Sequence, residues 1–307
     1  MRTSIFLRTS RAWKKAPQIT IQRSPLSTSV PYPVIQTCPP STCSCAPMPA
    51  DLDIDHKRAL FGSIAPYHEH LLINTGTHDW PSKIEDDERF QYAADMKAAI
   101  REESIKSFAD GGKPRNVLVT NSSFPVLKNK GKVSISLLKT GLDLKVPVEQ
   151  TKLLISLLSS PDVGRQSLVD QFQGKIEIEE ISDVVIMICG HTERDKRCGI
   201  MGPLLQEELK EKMAMGGYSV SGSSQIESSP TSTTDASCRV GLVSHIGGHV
   251  FAGNVIINIP NTEQFKSHPL AGKAVWYGRV EPRHIEGIVS ETVKHGKIIQ
   301  DLLRGVV

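Results

Sequence analysis

Residues 183–205 read DVVIMICGHTERDKRCGIMGPLL, and residues 244–260 read SHIGGHVFAGNVIINIP. VVIMIC is an unbroken apolar run of the length of a buried strand, GHTERDKR is strongly polar, and CGIMGPLLQEELKEKMA carries apolar residues at helical spacing. A strand, a polar loop and a helix make up an α/β unit. Such units place their chemistry at strand ends, because a rigid sheet fixes residues that the loop leaves accessible. Cys189 closes the strand and Cys198 opens the helix, so two thiols are expected at one mouth of the sheet. Arg194, Lys196, Arg197 and the helix N-terminus would all favour their thiolate forms.

The second stretch supplies His245 and His249. A helix would put both rings on one face, but Gly247 and Gly248 disfavour a helix there. The expectation is a tight glycine turn that lets the backbone approach closely while both imidazoles point at one centre. Gly253 and Asn254 suggest a second constrained turn close by. Two thiolates and two imidazoles suit either zinc or an iron–sulfur cluster, and the residue types alone do not choose. The stride from Cys189 to Cys198 is longer than the Cys-x-x-Cys pair of a zinc knuckle.

Working outward, CRVGLVSH, VIINIP and AVWYGRV read as strands and EGIVSETVKHGKIIQDLLRG as a last helix, with Ile288, Val293, Ile298 and Leu302 among its apolar positions. The order of strand, helix, strands and helix resembles the thioredoxin architecture. The fold class expected is α/β with α+β character: a thioredoxin-like domain over residues 171–307, preceded by a smaller mixed α/β domain over 51–170. In the first domain HLLINTG and NVLVT are strand candidates, and Lys83 to Phe108 reads as a helix with Ser82 and Glu85 as its capping box. VSISLLKTGLDLKV reads as strand, and PVEQTKLLISLLSS as a helix started by Pro147. This domain is also open to reading as a degenerate thioredoxin-like fold.

Residues 1–50 carry Arg2, Arg8, Arg11, Lys14, Lys15 and Arg23 and no acid, so the formal charge of +3 becomes about −3 without them. The remaining chain shows no basic patch of the kind nucleic acid requires, and nucleic acid is not an expected partner. The opening MRTSIFLRTSRAWKK, with Ile5, Phe6, Leu7 and Trp13 able to share one helix face, fits a mitochondrial transit peptide, and SIFL is too short for a secretory signal. Residues 24–50 follow as a Pro/Ser-rich lead-in. Charges interrupt every apolar stretch, so no membrane span is expected.

The order C-x8-C followed by H-x-G-G-H resembles the signature of sucrase/ferredoxin-like proteins. The likeness covers CGHTERDKRCGIMGPLL and SHIGGHVFAGNVIINIP, and more loosely HDWPSKIE and NSSFP. It implies a thioredoxin-like ferredoxin domain holding a [2Fe–2S] cluster on Cys189, Cys198, His245 and His249. The expected arrangement has the cysteines on one iron and the histidines on the other. Rieske centres also replace two cysteines by two histidines, but here both cysteines precede both histidines, so this is not a Rieske sequence. Neutral imidazoles would raise the reduction potential above that of an all-cysteine cluster, and a ligand histidine with a free ring nitrogen would make it pH-dependent. The functional expectation is mitochondrial electron transfer or redox maintenance with an unidentified redox partner protein.

Two alternatives belong to other classes: a zinc-stabilised thioredoxin-like interaction module and a thiol–disulfide oxidoreductase. The sequence has no P-loop, dinucleotide fingerprint, metalloprotease motif or evident nucleophile–base pair, which favours a carrier over an enzyme with its own substrate. Arg194 is one residue short of the Cys-x5-Arg spacing of cysteine phosphatases. Cys38, Cys43 and Cys45 lie in the Pro/Ser-rich segment without a nearby histidine, and redox-sensitive thiols, a second metal site and incidental residues are all open for them, with incidental favoured; Cys238 is open to packing or a spare-ligand role, with packing favoured. His68, His70 and His78 are expected in exposed hydrogen-bonding roles.

Overall fold

Strand-length and helix-length apolar patterns alternate along the chain. The computed structural model describes residues 31–42, 44–109, 113, 115–126, 131–160, 164–221 and 236–307. The basic leader, Cys43 and residues 222–235 of the Gly/Ser/Thr-rich loop lie outside the described residues.

In chain order the elements begin with β1 (Val34–Ile35), β2 (Glu69–Asn74), α1 (Gln91–Ala109) and β3 (Val117–Ser122). A hairpin of β4 (Lys132–Leu137) and β5 (Leu142–Pro147) leads to α2 (Thr151–Ser159), α3 (Arg165–Phe172) and β6 (Glu177–Glu180). The second half contains β7 (Val184–Cys189), α4 (Lys196–Met215), β8 (Ser219–Ser221), β9 (Ser237–Val243), β10 (Val255–Asn258) and β11 (Ala274–Tyr277). It ends with α5 (Ile285–Gly287), which continues as a π-helix over Ile288–Lys294, then β12 (Ile298–Ile299) and β13 (Leu303–Val306). One mixed sheet runs β13-β11-β10-β7-β9-β3-β2-β4-β5-β6, with β8 beside β9, and β1 pairs β12 separately.

The two halves share one topology. In the second, β7 and β9 are parallel neighbours joined through α4, β10 lies antiparallel on the other side of β7, and β11 lies antiparallel to β10. In the first, β2 and β3 are parallel neighbours joined through α1, β4 lies antiparallel on the other side of β2, and β5 lies antiparallel to β4. Each is the thioredoxin strand order. The units meet where β3 runs antiparallel to β9 at Ser122 and Val243, so a single sheet crosses from one half to the other.

β5 alternates buried and partly buried residues, as expected of a strand with one face on a core, and that face packs with Leu71, Ile73, Ile135, Met96 and Leu154. Every residue of β7 is buried, because the central strand is covered on both sides. Removing a large side chain from the first core, such as Phe172, would cost roughly 3–5 kcal/mol.

Three local expectations change. The helix expected from Lys83 starts at Gln91, after two 3-10 turns. Ser82 does not cap it: Lys83 is the first cap residue, without a side-chain hydrogen bond, and Glu85 pairs with Lys97. The stretch VSISLLKTGLDLKV is two strands, folded back at Gly141 with φ of 75°. The last helix stops at Lys294, because Gly296 takes φ of 66° and the chain turns into β12 and β13. Its later apolar positions, Ile298 and Leu302, are buried, but Ile298 lies in a strand and Leu302 in a 3-10 turn.

His70, expected to be exposed, is buried in β2. Its Nε2 pairs with Thr120 Oγ1 at 2.8 Å, and its Nδ1 has no partner among the described residues. Burial pushes its pKa down from 6.5 to about 3. The folded protein therefore keeps the ring neutral where the unfolded chain protonates it. This contribution to stability is complete above about pH 6.5 and is lost as pH falls toward 3, by up to about 1.4 kcal/mol per unit. Buried Glu69, whose pKa is raised by desolvation, acts in the opposite sense, so the readout is a difference between variants. Urea unfolding at pH 7 and pH 5 should show a smaller stability loss for His70→Asn than for the unaltered protein. Equal losses would remove His70 as the cause.

Candidate metal centre

Cys189 is fixed by the sheet: its amide donates to Asn254 O at 3.0 Å, and the amide of Gly190 donates to Val243 O at 3.2 Å. Helix α4 packs onto this strand end through glycine, since a Cβ on Gly202 would lie 2.6 Å from Gly190 Cα. Asp195 caps the helix by accepting from the Arg197 amide, which sets Cys198 in the first turn. Both cysteines are 1% exposed.

The thiol of Cys189 is held well below the ordinary thiol range, chiefly by a hydrogen bond from Cys198 and also by His245, against the opposing effect of burial. Cys198 is pushed up by Cys189 and by burial, so the two thiols titrate as a pair in which one thiolate is favoured. Arg197 lowers the Cys198 pKa, as expected, although its guanidinium is shared with other partners. Arg197 is engaged with Asp195 at 2.9 and 2.8 Å and with Asp53 O, and Arg194 donates to Ser82 Oγ.

The glycine turn forms as expected, with φ of 79° at Gly247 and 71° at Gly248. It places the His245 and His249 rings 5.2 Å apart at an interplanar angle of 41°. Nδ1 of each ring is buried and has no hydrogen-bond partner among the described residues. Nε2 of His249 lies 3.9 Å from Asp195 Oδ2, and its side chain is 38% exposed. Desolvation lowers the His249 pKa, partly offset by Asp195. The structure thus joins Cys198, Cys189, His245 and His249 in one chain of contacts. No group of three or more His, Cys, Asp or Glu side chains among the described residues is placed to hold a single metal ion.

Several residues around the site were not singled out in the sequence. His191 Nδ1 accepts from the His245 amide at 2.9 Å, so its proton sits on Nε2, which donates to Trp80 O at 2.8 Å and Pro81 O at 3.0 Å. Asp79 Oδ1 accepts from the Thr192 amide, and the Trp80 ring meets His191 edge-on. HDWPS, the loop after β2 of the first half, therefore buttresses the second-half site. Its only signal in the sequence was the loose likeness of HDWPSKIE. Trp80 is 1% exposed and donates from Nε1 to Thr75 Oγ1. Trp80→Ala should cost about 3–5 kcal/mol in denaturant unfolding, and hydrogen exchange of the His245 amide should rise with it. An unchanged His245 amide would show that the loop does not support the site.

The other cysteines fit quieter roles. Cys238 is buried and pushed up to about 12 by desolvation, as a packing thiol would be. Cys38 donates to His284 O and is pushed up to about 11, chiefly by burial. Among the described residues no helix is long and apolar enough to cross a membrane.

A family model described as sucrase/ferredoxin-like matches residues 60–305. The chain is 30% identical over 283 residues to "Altered inheritance of mitochondria protein 32" of Meyerozyma guilliermondii, covering 86% of this chain and 90% of that protein. It is 28% identical over 297 residues to the protein of the same name from Debaryomyces hansenii, covering 89% and 96%. Over 160 residues it is 36% identical to the one from Clavispora lusitaniae, covering 52% and 48%. No solved structure gives a significant match.

Proposed function

The chain belongs to the sucrase/ferredoxin-like family, and from that membership together with the geometry of the site we propose that it is a mitochondrial [2Fe–2S] protein of electron transfer or redox maintenance. The observation that carries this reading is the pair of buried, unpartnered Nδ1 atoms on His245 and His249 beside the Cys189–Cys198 pair, one of whose members favours the thiolate. A buried imidazole nitrogen without a partner is costly, and a metal offers the missing contact. Cys189, Cys198, His245 and His249 would hold the cluster, which supplies one-electron transfer when bound. The protein's own residues protect the cysteine side from solvent and leave the edge of His249 as the accessible approach for a redox partner.

The burial of both cysteines argues against a thiol–disulfide oxidoreductase, whose attacking thiolate must reach a substrate disulfide. The mitochondrial part rests on the names of the relatives and on the composition of the leader. The test is anaerobic purification of the full chain, with iron and acid-labile sulfide measured per chain and an electron paramagnetic resonance spectrum taken after dithionite reduction. Two irons, two sulfides and a reduced [2Fe–2S] signal are expected. Stoichiometric zinc without iron would replace this reading with the structural module.

A further inference from the structure

Resting on that reading, we propose that Arg304 is a positioning residue of the site: its guanidinium pins the turn that carries the two histidines and holds a fixed positive charge beside that turn. Arg304 lies in β13, at the opposite end of the sequence half from Cys189, yet is 1% exposed. It donates from Nη1 to Gly247 O at 3.2 Å and to Asn254 Oδ1 at 2.8 Å. From Nε and Nη2 it donates to Ser63 Oγ at 3.0 Å and Ser63 O at 2.9 Å. Asn254 in turn donates to Gly248 O at 2.9 Å, so arginine and asparagine together grip both glycines. The approach is so close that a Cβ on Gly248 would lie 2.7 Å from Arg304 Cζ.

All four hydrogen-bond acceptors of this guanidinium are neutral, and it has no salt bridge among the described residues. The faces of Phe251 and Trp276, 5.8 and 5.7 Å from Cζ, compensate the charge in part. A buried charge without a counter-ion is expensive. Desolvation brings its pKa down only to about 10, so it keeps its charge, and its partner Asn254 accepts the Cys189 amide through its own carbonyl, which ties that charge to the cysteine strand end. A centre bound through two thiolates becomes more negative when it accepts an electron, and a fixed cation beside it favours that reduced form.

The experiment compares the full-length protein with Arg304→Gln, Arg304→Lys and Asn254→Ala. It measures the midpoint potential and the amide hydrogen exchange of residues 245–251. Arg304→Gln should shift the reduced-to-oxidised ratio at fixed potential at least tenfold toward oxidised, about 59 mV for one electron. Arg304→Lys should keep that ratio within about threefold of the original, because the charge remains. Its exchange over the histidine turn should nevertheless rise, because an ammonium lacks the planar fork that spans two acceptors. An unchanged potential in Arg304→Gln, or the same shift in Arg304→Lys, overturns the role of the charge. If Arg304→Gln fails to fold, Asn254→Ala decides: it keeps the charge, so a tenfold shift there assigns the effect to loop geometry and sinks the proposal, whereas an unmoved potential with faster exchange supports it. Absence of iron and sulfide from the unaltered protein would be a failure of the cluster reading instead. The grip on the turn would then be judged by exchange in the metal-free Arg304→Lys variant, where unchanged protection counts against it.

Discussion

Cys189→Ser and Cys198→Ser are each expected to leave the full-length protein with little or no iron after anaerobic purification, whereas His245→Cys and His249→Cys should keep iron with altered spectra. The asymmetry follows from the donors. An alcohol in place of a thiolate loses both the negative charge and the soft sulfur, and both cysteines are buried where no solvent ligand can enter in their place. A cysteine in place of a histidine whose Nδ1 lacks a partner among the described residues still offers a donor, now an anionic one. On the proposed cluster reading, the g-values of the reduced protein should therefore shift in both histidine variants, and the potential should fall, because thiolate would add negative charge to such a cluster. Iron content near that of the unaltered protein in both Cys→Ser variants would exclude the two cysteines as ligands. Unshifted g-values in both histidine variants would exclude the histidines.

The second large effect concerns backbone geometry. Gly253 has φ of 87°, and a Cβ there would land on the carbonyl oxygen of Val280 and lie 2.8 Å from its nitrogen. The Val280 amide donates to Gly253 O at 3.1 Å, so the two backbones cannot separate without losing that bond. The next residue, Asn254, accepts from the Cys189 amide and holds Arg304, which ties the turn to both halves of the site. Gly253→Ala combines left-handed strain with a clash against backbone and should cost about 3–5 kcal/mol. Gly247→Ala is the control: its φ is 79°, but nothing lies within 4 Å of the added methyl, so only the conformational cost of about 1–2 kcal/mol applies. Urea unfolding of the two variants separates the contributions, and equal losses would show that the contact with Val280 carries no weight.

Much of the site was legible because its signals are local. VVIMIC has the length and composition of a central strand, and Gly247 and Gly248 point to a turn with positive φ that few other residues adopt. Chain order was enough to suggest the thioredoxin arrangement of the second half. The internal repetition was harder to see. Its evidence is strand pairing, and β2, β3, β4 and β5 share no residue motif with β7, β9, β10 and β11. The end of the last helix is hidden from local pattern for a related reason. Ile298 and Leu302 are buried at helical spacing, but Gly296 breaks the helix and the burial comes from β12, β13 and the turn between them.

The sequence by itself determined the four candidate donors, the strand that presents the first of them and the turn that presents the histidines. Each depends on residue type and spacing within a few positions, where backbone sterics and periodicity act. Only the tertiary structure decided what holds those donors together: the Trp80 loop from the first half, His191 between that loop and His245, and Arg304 reaching back from the last strand. Their partners are distant in sequence, and the contacts exist only once the shared sheet has set which strand ends lie side by side.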